Sequence, residues 1–222
     1  MHRAMSVEAP KRQPPARVRN RRRVMRAARA LVTKDGLEAL TMRRLAVEAD
    51  VSVATLYNLI GGRDDVVRAL GLYFLEELQE TFLQVEASDP LKRARELLTV
   101  VVEAVVKELP PALLLKLLSD AKLHTDLRPS WEPNTALADA LQAMVAAGML
   151  SRDLSVSLIS KQVWWAQVSH LQLWAAGILD ERELHAAVLH DLDLCLLAIA
   201  TPAAREHLLE HARSLERKLR RV

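Results

Sequence analysis

Between Thr41 and Asp65 the chain reads TMRRLAVEADVSVATLYNLIGGRDD, and this stretch concentrates side chains suited to gripping a polyanion. Thr41, Ser52, Thr55 and Tyr57 carry hydroxyls, Asn58 an amide, and Arg43, Arg44 and Arg63 guanidinium groups. Such groups hold phosphate oxygens, and a guanidinium also reads a guanine edge through two parallel hydrogen bonds. The spacing predicts two short helices, with Thr41 capping the first, Asp50-Val51-Ser52 forming the turn, and Ser52 capping the second. Leu45, Ala46 and Ala49 of the first helix face inward, as do Leu56 and Ile60 of the second, with Val51 buried between them. Val53, Ala54, Thr55, Tyr57 and Asn58 are left for the outer surface. A helix this short, opening on small residues, can approach base edges in a DNA major groove. The plainer alternatives are a packing role for Tyr57 and an ordinary solvated face for Arg43 and Arg44.

A second constellation is His207-Leu208-Leu209-Glu210-His211. This H-x-x-E-H spacing puts two imidazoles on one helical face, as zinc ligands require. The eleven residues that follow hold one acid, Glu216, and six basic residues between Arg205 and Arg221 surround the pair with positive charge. A solvated terminal helix is the simpler account, and a metal-dependent hydrolase is a remote alternative. No serine-nucleophile, phosphate-loop or Cys–His framework occurs elsewhere. No catalytic residue, metal or cofactor is therefore assigned.

The surrounding elements support the first constellation. Residues 19–35 form an amphipathic helix with Val24, Ala27, Ala28, Leu31 and Val32 on its apolar stripe. Arg19, Arg21, Arg22, Arg23, Arg26 and Arg29 load its first half, where positive charge opposes the helix dipole and nearby phosphates would make it favourable. Residues 1–63 hold 14 Lys and Arg against 5 Asp and Glu, a balance of +9, whereas residues 64–222 carry −6 within a net charge of +3. A basic head on an acidic body points to a polyanionic partner at one end, or else to a solvated basic tail.

Residues 1–17, rich in Pro, Arg and Lys, read as a disordered basic arm. From there helical periodicity continues throughout, with no two-residue alternation, so the fold class is all-α. The expected helices are 19–35, 42–49, 53–59, 63–87, 90–109, 111–123, 132–147, 154–177, 181–200 and 203–220. Gly36, Gly61, Gly62, Gly148 and Gly177 stand where helices should stop, while Gly71 falls outside that pattern, as a bend or a close packing contact. Asp89-Pro90 and Thr201-Pro202 read as an N-cap followed by a first helical residue. The domains are the arm 1–17, a DNA-binding head 18–62 and a helical body 63–222. The one cysteine, Cys195, sits in an apolar run and reads as a buried structural thiol. Neither a signal peptide nor an apolar run of the ~18 residues a membrane helix needs is present, so a cytoplasmic protein with no membrane partner is expected.

LTMRRLAVEADVSVATLYNLIGGRDDVVRAL resembles the signature of TetR-type (tetracycline-repressor-like) transcriptional regulators. The resemblance covers about residues 20–70 and implies roles for individual residues. Arg43 stands where the family reaches a guanine edge. Val53 and Ala54 match base-facing positions, and Thr41, Ser52, Thr55 and Tyr57 match phosphate-gripping ones. Arg63 stands where a phosphate-binding lysine is usual. Leu59-Ile60 replaces the His-Phe often found there, so Leu59 brings no phosphate contact, and Asn58 can compensate. The arginines of the preceding helix, Arg19, Arg21 and Arg22 among them, add phosphate grip.

The resemblance also implies a homodimer, pairing through helices 154–177 and 181–200, bound to a near-palindromic operator in double-stranded DNA. The other body helices would enclose a pocket for a small hydrophobic effector. Gln162, Gln167, Ser169, His170 and Gln172 are the polar residues of the tryptophan-rich helix, and a pocket needs a few polar groups in apolar walls. Trp131, Met144, Trp165, Ser169 and His170 are the candidate effector contacts. The function expected is that of a ligand-responsive repressor. An activator and an effector-independent DNA-binding protein are the alternatives within the same class.

Overall fold

The computed structural model describes residues 15–123 and 135–220. The expected arm up to residue 14 and the effector candidate Trp131 lie outside the described residues. The elements in chain order are α1 (Pro15–Asp35), a single 3-10 turn (Leu37–Ala39), α2 (Met42–Glu48), α3 (Val53–Leu59) and α4 (Arg63–Phe82). They continue as α5 (Pro90–Glu108), α6 (Pro111–Leu118), α7 (Thr135–Ala146), α8 (Val156–Ala175), α9 (Glu181–Leu197) and α10 (Pro202–Leu219). The all-α expectation is met. The first helix starts at Pro15, four residues before the expected Arg19, because proline is well suited to the first turn of a helix. Helix α4 ends at Phe82, not at 87.

Two compact units divide the chain, residues 1–70 and 71–222, and the division falls inside α4. In the first unit α1 packs on the 3-10 turn, α2 and α3. Its core is Val24, Met25, Ala28, Leu31 and Val32 from α1 with Leu40, Leu45, Ala46 and Leu56, all buried. The stripe read from the sequence, Val24, Ala27, Ala28, Leu31 and Val32, is buried, and Met25 joins it. Between α2 and α3 the chain reverses through Asp50, which has φ of 47°. Asp50 N donates to Val47 O (3.1 Å) and Val51 N to Ala46 O (3.0 Å), the paired bonds of a helix C-terminus closed by a left-handed residue. Glycine is usual there, and aspartate is among the few other residues that tolerate the conformation. Val51 is half-buried.

In the second unit α9 packs against α10, α8 and α5, while α5 also packs on α7, and α8 on α6 and α7. Asp89 caps α5 through Lys92 N at 2.7 Å, as expected. Thr201 holds the N-cap position of α10, yet its hydroxyl makes no cap bond and donates instead to Gly148 O (2.8 Å) and Met149 O (3.1 Å). That bond ties the start of α10 to the turn after α7, beside a short bridge between Leu150 and Ala200.

Among the described residues of this unit, Ser160, Gln167 and Asp193 are buried polar side chains. Asp193 of α9 is 0% exposed, with Arg95 of α5 at 2.9 Å on one carboxylate oxygen and His211 Nδ1 of α10 on the other. One carboxylate thus joins three helices. Gly71 has a steric reason. A Cβ there would lie 2.7 Å from Leu117 Cδ2 of α6, closer than carbon atoms approach. Gly71→Ala should therefore cost about 1–3 kcal/mol, as overpacking does, read as an earlier urea midpoint at unchanged slope. An unchanged midpoint would mean that Leu117 moves aside freely.

Candidate nucleic-acid interface

Two caps build the grip of the head. Thr41 in extended conformation precedes α2, and its Oγ1 accepts from Arg44 N at 3.3 Å. Ser52 precedes α3 and accepts from Thr55 N at 3.0 Å. Each hydroxyl spends an acceptor lone pair on its cap, which leaves an O–H donor. Ser52 Oγ and Thr55 Oγ1 lie 2.7 Å apart, so one donates to the other and one hydrogen of that pair stays available to a phosphate oxygen. Capping therefore leaves part of the same groups open to a further hydrogen bond.

The outer face of α3 carries Val53, Ala54, Tyr57 and Asn58, all exposed, with Leu56 fully buried beneath them. Tyr57 is 53% exposed, which removes the packing alternative for its ring. Leu59 and Ile60 are partly buried. Arg19, Arg21, Arg22, Arg26 and Arg43 are exposed.

Other arginines are already engaged within the head. Arg23 donates to Asp50 O at 3.0 Å and lies 3.8 Å from its carboxylate, holding the turn. Arg44 pairs with Asp35 at the end of α1. Arg63 donates through Nε to Leu40 O and through Nη2 to Leu37 O, both at 2.9 Å, with Glu38 at 3.7 Å. Its guanidinium closes the carbonyls of the 3-10 turn directly before the Thr41 cap. Sequence reasoning did not find this role, because Leu37 and Leu40 accept through backbone oxygens that carry no residue signature. A basic residue at the start of α4, against the helix dipole, is the one hint present.

Residues 24–70 match the model of the bacterial regulatory proteins, tetR family. The HTH-type transcriptional repressor KstR of Rhodococcus jostii (strain RHA1) is 29% identical over 164 residues, 72% of this chain and 74% of that protein. The head of the chain is thus similar to that family. The fold agrees. FadR of Thermus thermophilus, a TetR-family repressor solved in complex with lauroyl-CoA, superposes with a TM-score of 0.65 at 24% identity, covering 82% of this chain and 95% of that one. RolR, solved in complex with resorcinol, gives 0.65 at 16% identity over 89% and 94%. A TetR transcription regulator from Haloarcula marismortui gives 0.67 at 19% identity over 83% and 100%.

In the body, the effector candidates among the described residues do not share one inward face. Met144 of α7 is fully enclosed in the core. Trp165 of α8 is 60% exposed, and the Ser169 hydroxyl, also at the surface, donates to Trp165 O at 3.0 Å. His170 Nδ1 lies 2.9 Å from Ala166 O and 3.6 Å from Asp191. The inward polar groups of α8 are instead Ser160 and Gln167, in line with buried Val163 and Leu171. That i, i+3, i+7, i+11 stripe was legible in the sequence and picks Gln167 over its neighbours.

His207 is exposed, while His211 is held by Asp193, so the H-x-x-E-H pair does not converge on one site. Among the described residues no group of three His, Cys, Asp or Glu is placed to hold a metal. Cys195 is half-buried, and burial, followed by the charge of Asp191, pushes its thiol above the ordinary range. Among the described residues no helix is long and apolar enough to cross a membrane.

Proposed function

We propose that the chain is a homodimeric repressor that occupies a near-palindromic operator in double-stranded DNA and is released by a small, largely apolar effector. The observation that carries this reading is the outer surface of the head. An exposed α3 face of small side chains is flanked by capping hydroxyls with donors to spare and by arginines 19, 21, 22 and 43. Arg43 reads a guanine edge, and Val53 and Ala54 meet thymine methyls. Thr41, Ser52, Thr55, Tyr57 and Asn58 hold phosphates, which set register and orientation without carrying sequence information.

Repression and effector response are supported by the relatives. KstR and FadR are transcriptional repressors, and FadR and RolR were solved with small molecules bound. An effector acts by a population shift, favouring a separation of the two heads that misses successive major grooves. Selection of binding sites from random DNA should return a palindrome. Arg43→Ala should weaken binding to it by about 1–3 kcal/mol while altering non-specific binding little. Equal losses on both DNAs would remove Arg43 from base reading.

One short recognition helix reads too few base pairs for genomic specificity, which is a physical motive for pairing two copies. The outer side of α8 exposes Leu158, Trp165 and Leu173, and Leu194 is exposed on the adjoining α9, an apolar set suited to a second copy. Trp165→Glu should sediment as a monomer at micromolar concentration and lose operator affinity. A monomeric wild-type protein would end the dimer proposal.

A further inference from the structure

Gln167 is 1% exposed, and its amide is only half used. Nε2 donates to Leu98 O of α5 at 2.9 Å, whereas Oε1 has no hydrogen-bond partner among the described residues. The orientation of the amide is decided by chemistry, because a carbonyl accepts and only the NH2 end can meet it. The side chain is therefore pinned by its nitrogen, with its oxygen held out as an acceptor.

The surroundings make this acceptor unusual. On α8 its buried neighbours are Val163 and Leu171. The helix packs on α7, whose buried side chains are Leu137, Ala140, Leu141, Met144 and Val145. An unmet acceptor in such surroundings costs on the order of 1–3 kcal/mol, whereas a methionine of similar length would fill the space without that loss. Apolar walls with one fixed polar group are what a pocket uses to orient a ligand.

Resting on the ligand-responsive reading above, we infer that Gln167 is the residue that selects the effector, through a neutral hydroxyl donated to Oε1. A carboxylate or phosphate is excluded at this point, since two acceptors repel one another and neither supplies a proton. An ammonium donor would carry a full charge into apolar surroundings, and the class we assign is an uncharged alcohol or phenol on an apolar body. Loss of the hydroxyl leaves Oε1 buried and unmet, so the site discriminates more sharply than an apolar surface can.

Calorimetric titration with two matched pairs tests this: 1-decanol against 1-methoxydecane, and 4-hexylphenol against 4-hexylanisole. At least one hydroxyl compound should bind the wild-type protein at least about tenfold more tightly than its ether, and which pair does so separates aliphatic from phenolic effectors. In Gln167→Met, which keeps the packing, that preference should fall to within about twofold while the ether binds undiminished. Thermal melting of the variant reports its folding, and Gln167→Leu serves if methionine fails to fold. Binding without hydroxyl preference, or a preference that survives in the variant, overturns the role of Gln167 and leaves the effector reading standing. Absence of binding by all four compounds, together with no release of the selected operator by a broader metabolite panel, overturns both.

Discussion

Asp193→Ala is expected to lower the stability of the helical body by about 3–5 kcal/mol, the range for removing one partner of a buried ion pair. The carboxylate is wholly buried between Arg95 and His211, so its loss leaves the Arg95 guanidinium, only 18% exposed, without compensating charge. Urea denaturation followed by circular dichroism measures the effect. The control is Arg95→Met combined with Asp193→Leu, which removes both charges and should recover most of the loss. Recovery would show that the penalty belongs to the stranded cation and not to lost packing. A loss below about 1 kcal/mol in the single variant would mean that the pair behaves like an exposed one.

This triad also shows which kind of information the sequence withholds. Helix boundaries are local, written in capping residues, prolines and glycines, and Asp89, Gly148 and Gly177 stand where the reading put them. Arg95 and Asp193 are 98 positions apart, and nothing in either neighbourhood announces the other. His211 was legible only as half of an H-x-x-E-H pattern. Its actual partner comes from the preceding helix, across a turn that Thr201 closes with an unforeseen bond. Gly71 was visible as an anomaly, but its cause, the methyl of Leu117, lies on α6 and has no local trace.

Arg63→Ala should lower the stability of the head by about 2 kcal/mol, because two hydrogen bonds from a charged donor disappear and the Leu40 carbonyl loses its partner, while Leu37 O keeps the N–H of Leu40. Operator binding should fall with it, since the 3-10 turn those carbonyls belong to leads directly into the Thr41 cap. The dependence of affinity on salt should stay as it was. Arg21→Ala provides the contrast: no change in stability, and a log–log salt slope shallower by about 0.9, the value of one phosphate contact. If Arg63→Ala leaves the melting of the head unchanged and takes about 0.9 from the slope, the arginine is a phosphate ligand after all.

The geometry of the candidate nucleic-acid face was legible because its logic is local. Hydroxyls at caps, small residues at the start of α3 and an inward Leu56 all follow from spacing within 25 residues. The effector region was less so. Aromatic and polar side chains on α8 drew attention to Trp165 and Ser169, which the helix turns outward. The apolar periodicity through Val163, Gln167 and Leu171 was the better guide, since burial follows the stripe and not the chemistry of any one side chain.

Arg23, Arg44 and Arg63 are engaged within the head, on Asp50, Asp35 and the carbonyls of Leu37 and Leu40. Pairing leaves the formal surplus of the first 63 residues as it is, since Asp35 and Asp50 are already counted in it, but it fixes where those guanidinium groups sit. Non-specific attachment grows with each phosphate neutralised, while sequence reading does not. A regulator searching among the ~10⁶–10⁹ competing sites of a genome is slowed by every cation that grips indiscriminately. What the pairing sets is which cations stay uncommitted at the surface of the head: Arg19, Arg21, Arg22, Arg26 and Arg43 are exposed, whereas Arg23, Arg44 and Arg63 are tied to the turns that shape it.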